Sequence, residues 1–96
     1  MESRFYLINL YDIYGELLTE KQQEYFEDYY FNNLTLAEMS ENCDVSRNAI
    51  HKQLKETEEK LNRYETILKL YEKNKKIKKI CEKLDEQTKN KILDIL

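Results

Sequence analysis

The stretch TLAEMSENCDVSRNAIHKQL, Thr35 to Leu54, decides how this chain folds. Thr35 and Glu38 stand three apart, the spacing of a capping box, in which hydroxyl and carboxylate each take a backbone N–H left unpaired at a helix start. A short helix over about Leu36 to Asn42 follows, then the turn Cys43-Asp44-Val45, then Ser46 as N-cap of the next helix. Two short helices joined this tightly have the spacing of a helix-turn-helix, whose second helix is shaped to enter a nucleic-acid groove. Ser40 supplies the small residue where the helices cross. Asp44 stands where Gly is commonest and tolerates left-handed backbone better than most residues. Leu36, Met39, Cys43, Val45, Ile50 and Leu54 supply apolar contacts for the crossing.

Upstream, Phe5, Leu7, Ile8, Tyr11 and Tyr14 recur at helical spacing and predict a first helix from about Arg4 to Tyr14. Gly15 then sits where a left-handed C-cap would end it. Thr19 and Gln22 form another capping box, opening a second helix that runs through Tyr25, Phe26, Tyr29 and Tyr30 and ends at Asn32 and Asn33. Downstream, Ile50, Leu54, Thr57, Leu61, Tyr64, Leu68 and Tyr71 alternate steps of four and three, a heptad seam. No Gly or Pro interrupts it, so one long helix from about Arg47 to Lys73 is expected. Ile77, Ile80, Cys81 and Leu84 line a fifth helix. Asp85 can cap a sixth that carries Ile92, Leu93, Ile95 and Leu96. Either these fold back on the long helix or a second copy covers its seam, and homodimerisation through the long helix and tail is the expectation.

Composition supports an all-α single domain over 1–96, with the helix-turn-helix at 35–54 and a helical tail at 57–96. The chain has no Pro and one Gly, and its abundant Leu, Ile, Lys and Glu suit helices. Its 96 residues make one modest core, for which eight Tyr and three Phe supply bulk. Cys43 and Cys81 lack metal-ligand or disulfide-framework spacing, so no metal and no cofactor are expected. The start MESRFYLINLYDIYG has no small-residue cleavage site, and no run is long enough to insert in a membrane; a cytoplasmic protein is expected. One His and scattered carboxylates give no nucleophile–base pair, and there is no phosphate-cradling Gly loop, so no enzyme is expected.

Net charge is −3, unlike the basic surface that phosphate neutralisation needs. The distribution tells more. Residues 1–31 hold seven acids and two bases, 32–56 four and three, 57–96 eight and eleven. The candidate reading face is Ser46, Arg47, Asn48, His51, Lys52 and Lys55. Asn48 can pair bidentately with adenine, and Arg47 or Lys52 can meet guanine or phosphate. A second basic patch is Lys73, Lys75, Lys76, Lys78 and Lys79, in KNKKIKK, also the nearest thing to a hinge. No aromatic is interleaved within it, so backbone contact rather than base stacking is expected there. The acidic face Glu16, Glu20, Glu24, Glu27 and Asp28 would repel nucleic acid and could meet a basic partner or a second copy's Lys run.

The segment LYDIYGELLTEKQQEYFEDYYFNNLTLAEMSENCDVSRNAIHKQLKETEEKL resembles the YlxM family of small bacterial helix-turn-helix proteins, similar to region 4 of sigma factors. YGELLTEKQ, Tyr14 to Gln22, and DVSRNAI, Asp44 to Ile50, carry the resemblance, which extends over about Leu10 to Tyr71. Ser46, Arg47, Ala49 and Ile50 match the family's recognition-helix start; Asn48 and His51 stand where other residues are usual, and Asp44 replaces the common Gly. Family members are encoded beside the signal recognition particle GTPase and its receptor. The resemblance therefore implies a part in that pathway. Two readings stay open: a regulatory protein binding DNA or the signal recognition particle RNA, and an adaptor docking on the particle's GTPase without DNA binding.

Overall fold

A computed structural model describes residues 3–96. The chain is all-α: α1 (Arg4–Tyr14), a 3-10 turn (Gly15–Leu17), α2 (Glu20–Tyr30), α3 (Leu36–Cys43), α4 (Arg47–Leu68), α5 (Leu70–Cys81) and α6 (Glu86–Leu93). Side chains cap most helix starts. Ser3 accepts from the Tyr6 N–H, Thr19 with Gln22 and Thr35 with Glu38 close both capping boxes, and Ser46 and Asp85 cap α4 and α6. Each such cap contributes about 1 kcal/mol.

The spine of the fold is α4. Its residues Ile50, Leu54, Thr57 and Leu61 are buried, one to each turn, and the helix packs against α1, α2 and α3. Ile50 and Leu54 join Tyr25 and Met39 in one core cluster. Leu61 joins Leu7, Leu10, Tyr14, Leu18, Phe26 and Tyr30 in the other. Thr57 lies fully buried on the same seam, its hydroxyl turned back to donate to the Gln53 carbonyl. The seam, for which fold-back of the tail or a second copy was the expected cover, is covered as far as Leu61 by α1, α2 and α3. Tyr64 and Tyr71 beyond it pack on the first cluster.

The long helix does not reach Lys73. It stops at Leu68, and Lys69 takes left-handed backbone, φ 56° and ψ 30°. A set of side-chain caps produces this break without Gly or Pro. The Glu65 carboxylate accepts from the Tyr71 and Glu72 N–H groups at 3.0 and 3.1 Å. The buried Tyr14 hydroxyl donates to Glu65 Oε1 at 2.6 Å and accepts from the Leu70 N–H at 3.0 Å. Three N–H groups at the start of α5 are thereby satisfied, and a negative charge sits at its positive end. The run KNKKIKK is no hinge: it lies inside α5, and the bend precedes it at Lys69. α5 turns back to pack on α1 and α4, with α6 against it. Cys81 is buried there, whereas Ile80 and Leu84 are exposed. Ile95 and Leu96 fall beyond α6 and are exposed. The molecule is elongated, 53 × 25 × 23 Å with a radius of gyration of 16.6 Å, against about 13 Å for a compact 100-residue domain.

Gly15 is not a left-handed cap. Its φ is −55°, and it opens the 3-10 turn. A Cβ there would meet the Tyr11 ring at 3.1 Å, so close packing explains the glycine. Left-handed backbone falls instead on Asn33, Asp44 and Lys69. Arg4 fixes the first of these: its guanidinium donates to the Tyr29 and Tyr30 carbonyls and to Asn33 Oδ1, at 2.7–2.8 Å. It thus caps the C-terminal end of α2, where a cation is favoured.

Three tyrosine–glutamate hydrogen bonds tie helices together: Tyr11 to Glu27, Tyr14 to Glu65 and Tyr30 to Glu58. Burial, then the acceptor carboxylate, raises all three phenols, Tyr14 to about 12. Unfolded Tyr ionises near pH 10, so the stability these phenols contribute is complete below that pH and falls as pH rises toward 12. Urea unfolding from pH 9 to 11.5 should show this fall, with Tyr14 alone contributing up to about 1.4 kcal/mol per pH unit; Tyr14→Phe should make it shallower. At neutral pH, Glu65→Ala should lose about 1–3 kcal/mol by removing the caps of α5. Lys69→Gly should gain about 0.5 kcal/mol by relieving left-handed backbone, measured in the same unfolding series.

Candidate nucleic-acid interface

The geometry of α3, the turn and α4 begins with the backbone at Asp44. Its φ of 56° and ψ of 40° let its N–H reach back to the Ser40 carbonyl. The Val45 N–H points to the same carbonyl. The Ser40 hydroxyl donates to the Val45 carbonyl, so a small side chain both admits the crossing and fastens the turn. Leu36, Cys43 and Val45 pack around buried Met39, Ile50 and Leu54, with Tyr25 and Tyr29 closing the cluster from α2. The apolar residues named for the crossing all meet in this cluster.

The clamp fixes which side of α4 faces out. Ser46, Arg47, Asn48, His51, Lys52 and Lys55 are all exposed. From Arg47 to Lys55 they span about 140° of the helix circumference at 3.6 residues per turn. Ser46 is occupied, accepting from the Ala49 N–H at 3.2 Å. Arg47, Lys52 and Lys55 form no ion pair among the described residues, where the one salt bridge is Lys76–Glu72. Three cations, an amide and an imidazole thus stand on one open surface at the positive end of a helix dipole, which suits phosphate. The exposed Glu56 and Glu59 follow within the next turn and end the basic surface. His51 and Lys55 also border a groove of about 430 Å³ against Tyr29, Tyr30, Leu36 and Glu58.

The second basic patch divides. Lys73 and Lys78 are simply exposed on α5, while Lys75, Lys76 and Lys79 line a groove of about 470 Å³ together with Tyr6 and Tyr71. The expected absence of aromatics holds along the run itself but not in space. Tyr71 lies four residues before Lys75 and eight before Lys79, on one helical face, and that spacing was the readable signal. Tyr6, from α1, was not foreseeable without the back-fold of α5. Of the acidic face, Glu16, Glu20 and Glu24 are exposed, Glu27 accepts from Tyr11, and Asp28 accepts from Asn32. Among the described residues no three His, Cys, Asp or Glu side chains gather to hold a metal ion. Both cysteines are free thiols. No helix is long and apolar enough to cross a membrane among the described residues.

Residues 1–95 match the family UPF0122, described as "Putative helix-turn-helix protein, YlxM / p13 like". UPF0122 protein TTE1463 of Caldanaerobacter subterraneus subsp. tengcongensis is 45% identical over 87 residues, 90% of this chain and 74% of that protein. UPF0122 protein UUR10_0158 of Ureaplasma urealyticum serovar 10 is 51% identical over 73 residues, 76% of this chain and 74% of that one. UPF0122 protein lin1916 of Listeria innocua serovar 6a is 42% identical over 86 residues, 88% and 78% of the two chains. The chain belongs to the UPF0122, or YlxM, family of helix-turn-helix proteins.

The crossing and the reading face separate in their stability. Ser40→Ala should lose about 0.5–1.5 kcal/mol with its hydrogen bond, and Ser46→Ala about 1 kcal/mol with its cap. Arg47→Ala and Lys52→Ala should stay within about 0.5 kcal/mol of the parent. Denaturant midpoints check all four.

Proposed function

We propose that this protein is a regulatory nucleic-acid-binding protein, not an enzyme, that reads duplex DNA or the signal recognition particle RNA with the N-terminal half of α4 and takes part in the signal recognition particle pathway. One observation carries the reading: Arg47, Asn48, His51, Lys52 and Lys55 are exposed together on the helix that the Ser40–Val45 turn presents. Asn48 offers the bidentate edge that adenine takes, and Arg47 or Lys52 offers contacts to guanine or phosphate. The pathway assignment rests on the family resemblance.

A second reading has its own observation. The outer side of α2 exposes Glu20, Glu24 and Glu27, and the whole chain carries −3. Such a surface suits a basic protein partner, and the particle's GTPase is the partner proposed for an adaptor. Homodimerisation is proposed as well, through the tail, where Ile67, Leu70, Ile80, Leu84 and Ile95 are exposed.

Binding to duplex DNA and to the particle's RNA, measured at 50 and 200 mM salt, decides between the readings. A recognition-helix binder loses affinity steeply with salt. Arg47→Ala with Lys52→Ala should reduce the log–log slope on duplex DNA by about 1.8, two phosphate contacts' worth. Absence of binding to either polymer at low salt would remove the first reading. Capture of the GTPase, weakened by charge reversal at Glu20 and Glu24, would favour the second.

A further inference from the structure

We infer that the groove between α1 and α5 is a second nucleic-acid site, which takes an unpaired nucleotide of a single-stranded segment by stacking its base on Tyr71 and holding the flanking phosphates with Lys75 and Lys79. The site stands apart from the reading face. Lys55, the reading-face residue nearest to it, and Glu65 are ten residues apart on one helix, roughly 15 Å at 1.5 Å per residue.

The groove has the two components that single-strand recognition combines, an aromatic platform and cations beside it. Tyr71 is half-buried and rests on the core, so its ring is held in place. Tyr6 meets it edge-on, with centroids 5.6 Å apart at 71°. The Lys75 ammonium lies 5.1 Å from the Tyr71 centroid, and Lys79 follows one turn later along the groove. At about 470 Å³ the groove falls within the roughly 300–1,000 Å³ of small-molecule sites.

Magnitudes favour exchange at the Tyr71 ring. An exposed ammonium on an aromatic face is held weakly, whereas a base stacked on such a ring is held more tightly. A base therefore displaces Lys75 from the ring, and the released ammonium is left beside the nucleotide's phosphate. The two acids on the groove wall do not oppose this strongly. Glu65 is engaged by the Tyr14 hydroxyl and two backbone N–H groups. Glu72 is paired with Lys76 at 3.2 Å, and its lowered pKa follows first from that contact. The occupant is a strand rather than a duplex because stacking on Tyr71 needs an open base face, which a paired and stacked base does not offer.

Fluorescence anisotropy of labelled twelve-residue oligouridylate and oligodeoxyuridylate, with the matching duplex as control, tests the inference on the whole protein. Both single strands should bind at 50 mM salt; a preference for one sugar would show which source the groove takes. Lys75→Ala with Lys79→Ala, both exposed, should weaken single-strand binding and reduce the salt slope by about 1.4. Tyr71→Leu keeps apolar packing but loses the stacking ring, and should weaken it roughly tenfold. Neither change should alter duplex binding, whereas Arg47→Ala with Lys52→Ala should alter duplex binding alone. Ultraviolet crosslinking should place the adduct on the peptide carrying Tyr71. No single-strand binding at 50 mM salt, or unchanged binding in both groove variants, would overturn the inference and leave the reading face untouched.

Discussion

The burial of one stripe of α4 is the constraint on which the rest of this structure depends. Ile50, Leu54, Thr57 and Leu61 are each less than 4% exposed, and they link two core clusters that would otherwise be separate small contacts. Burying an aliphatic side chain of this size stabilises by about 1.5–3 kcal/mol, so the stripe is a large share of what a 96-residue chain can gather. Because the stripe faces α1, α2 and α3, the opposite side of the same helix must face solvent. The surface available for recognition is therefore a consequence of packing. Arg47, Lys52 and Lys55 stand outside because Ile50 and Leu54 stand inside.

The end of that helix is set by polar chemistry. Beyond Leu61 the seam has less to bury, and Glu65 can satisfy more backbone by capping a new helix than by facing water. Tyr14 makes the arrangement cooperative, since its hydroxyl donates to Glu65 and accepts from Leu70 in the same network. A buried hydroxyl with both functions filled is inexpensive; with either partner removed it becomes an unsatisfied group. This network turns α5 back toward α1, and it brings Tyr71 to Tyr6 and Lys75. A capping contact fifty-one residues apart in sequence thus makes the groove.

Much of this was legible in the sequence because it rests on local rules. The capping boxes at Thr19 and Thr35, the caps at Ser46 and Asp85 and the left-handed turn at Asp44 depend on neighbours within a few residues. So does the exposure of Arg47, Asn48, His51, Lys52 and Lys55, since a helical period and a known inside fix the outside. What stayed hidden depends on distant partners. Helix breaks without Gly or Pro carry no composition signal, so nothing marked Lys69, and a regular seam argued for continuity. Nothing near Arg4 in the sequence marks its capping role, because its acceptors lie some twenty-five residues on. The heptad pattern was real, but pattern alone cannot say whether a seam meets its own chain or another copy.

Net charge is a poor guide to how such a surface meets a polyanion. At physiological ionic strength the screening length is about 8 Å, so exposed charges further apart than this act nearly independently. The ten residues of helix between Lys55 and Glu65 amount to roughly two screening lengths at 1.5 Å per residue. A phosphate approaching either basic surface therefore responds to the charges around it and little to the chain's overall −3. Near the reading face that means Arg47, Lys52 and Lys55 against Glu56 and Glu59; in the groove it means Lys75 and Lys79 against Glu65, with Glu72 and Lys76 paired to each other. An acidic total and two locally basic surfaces are compatible, one on α4 and one on α5, set apart by the far half of α4.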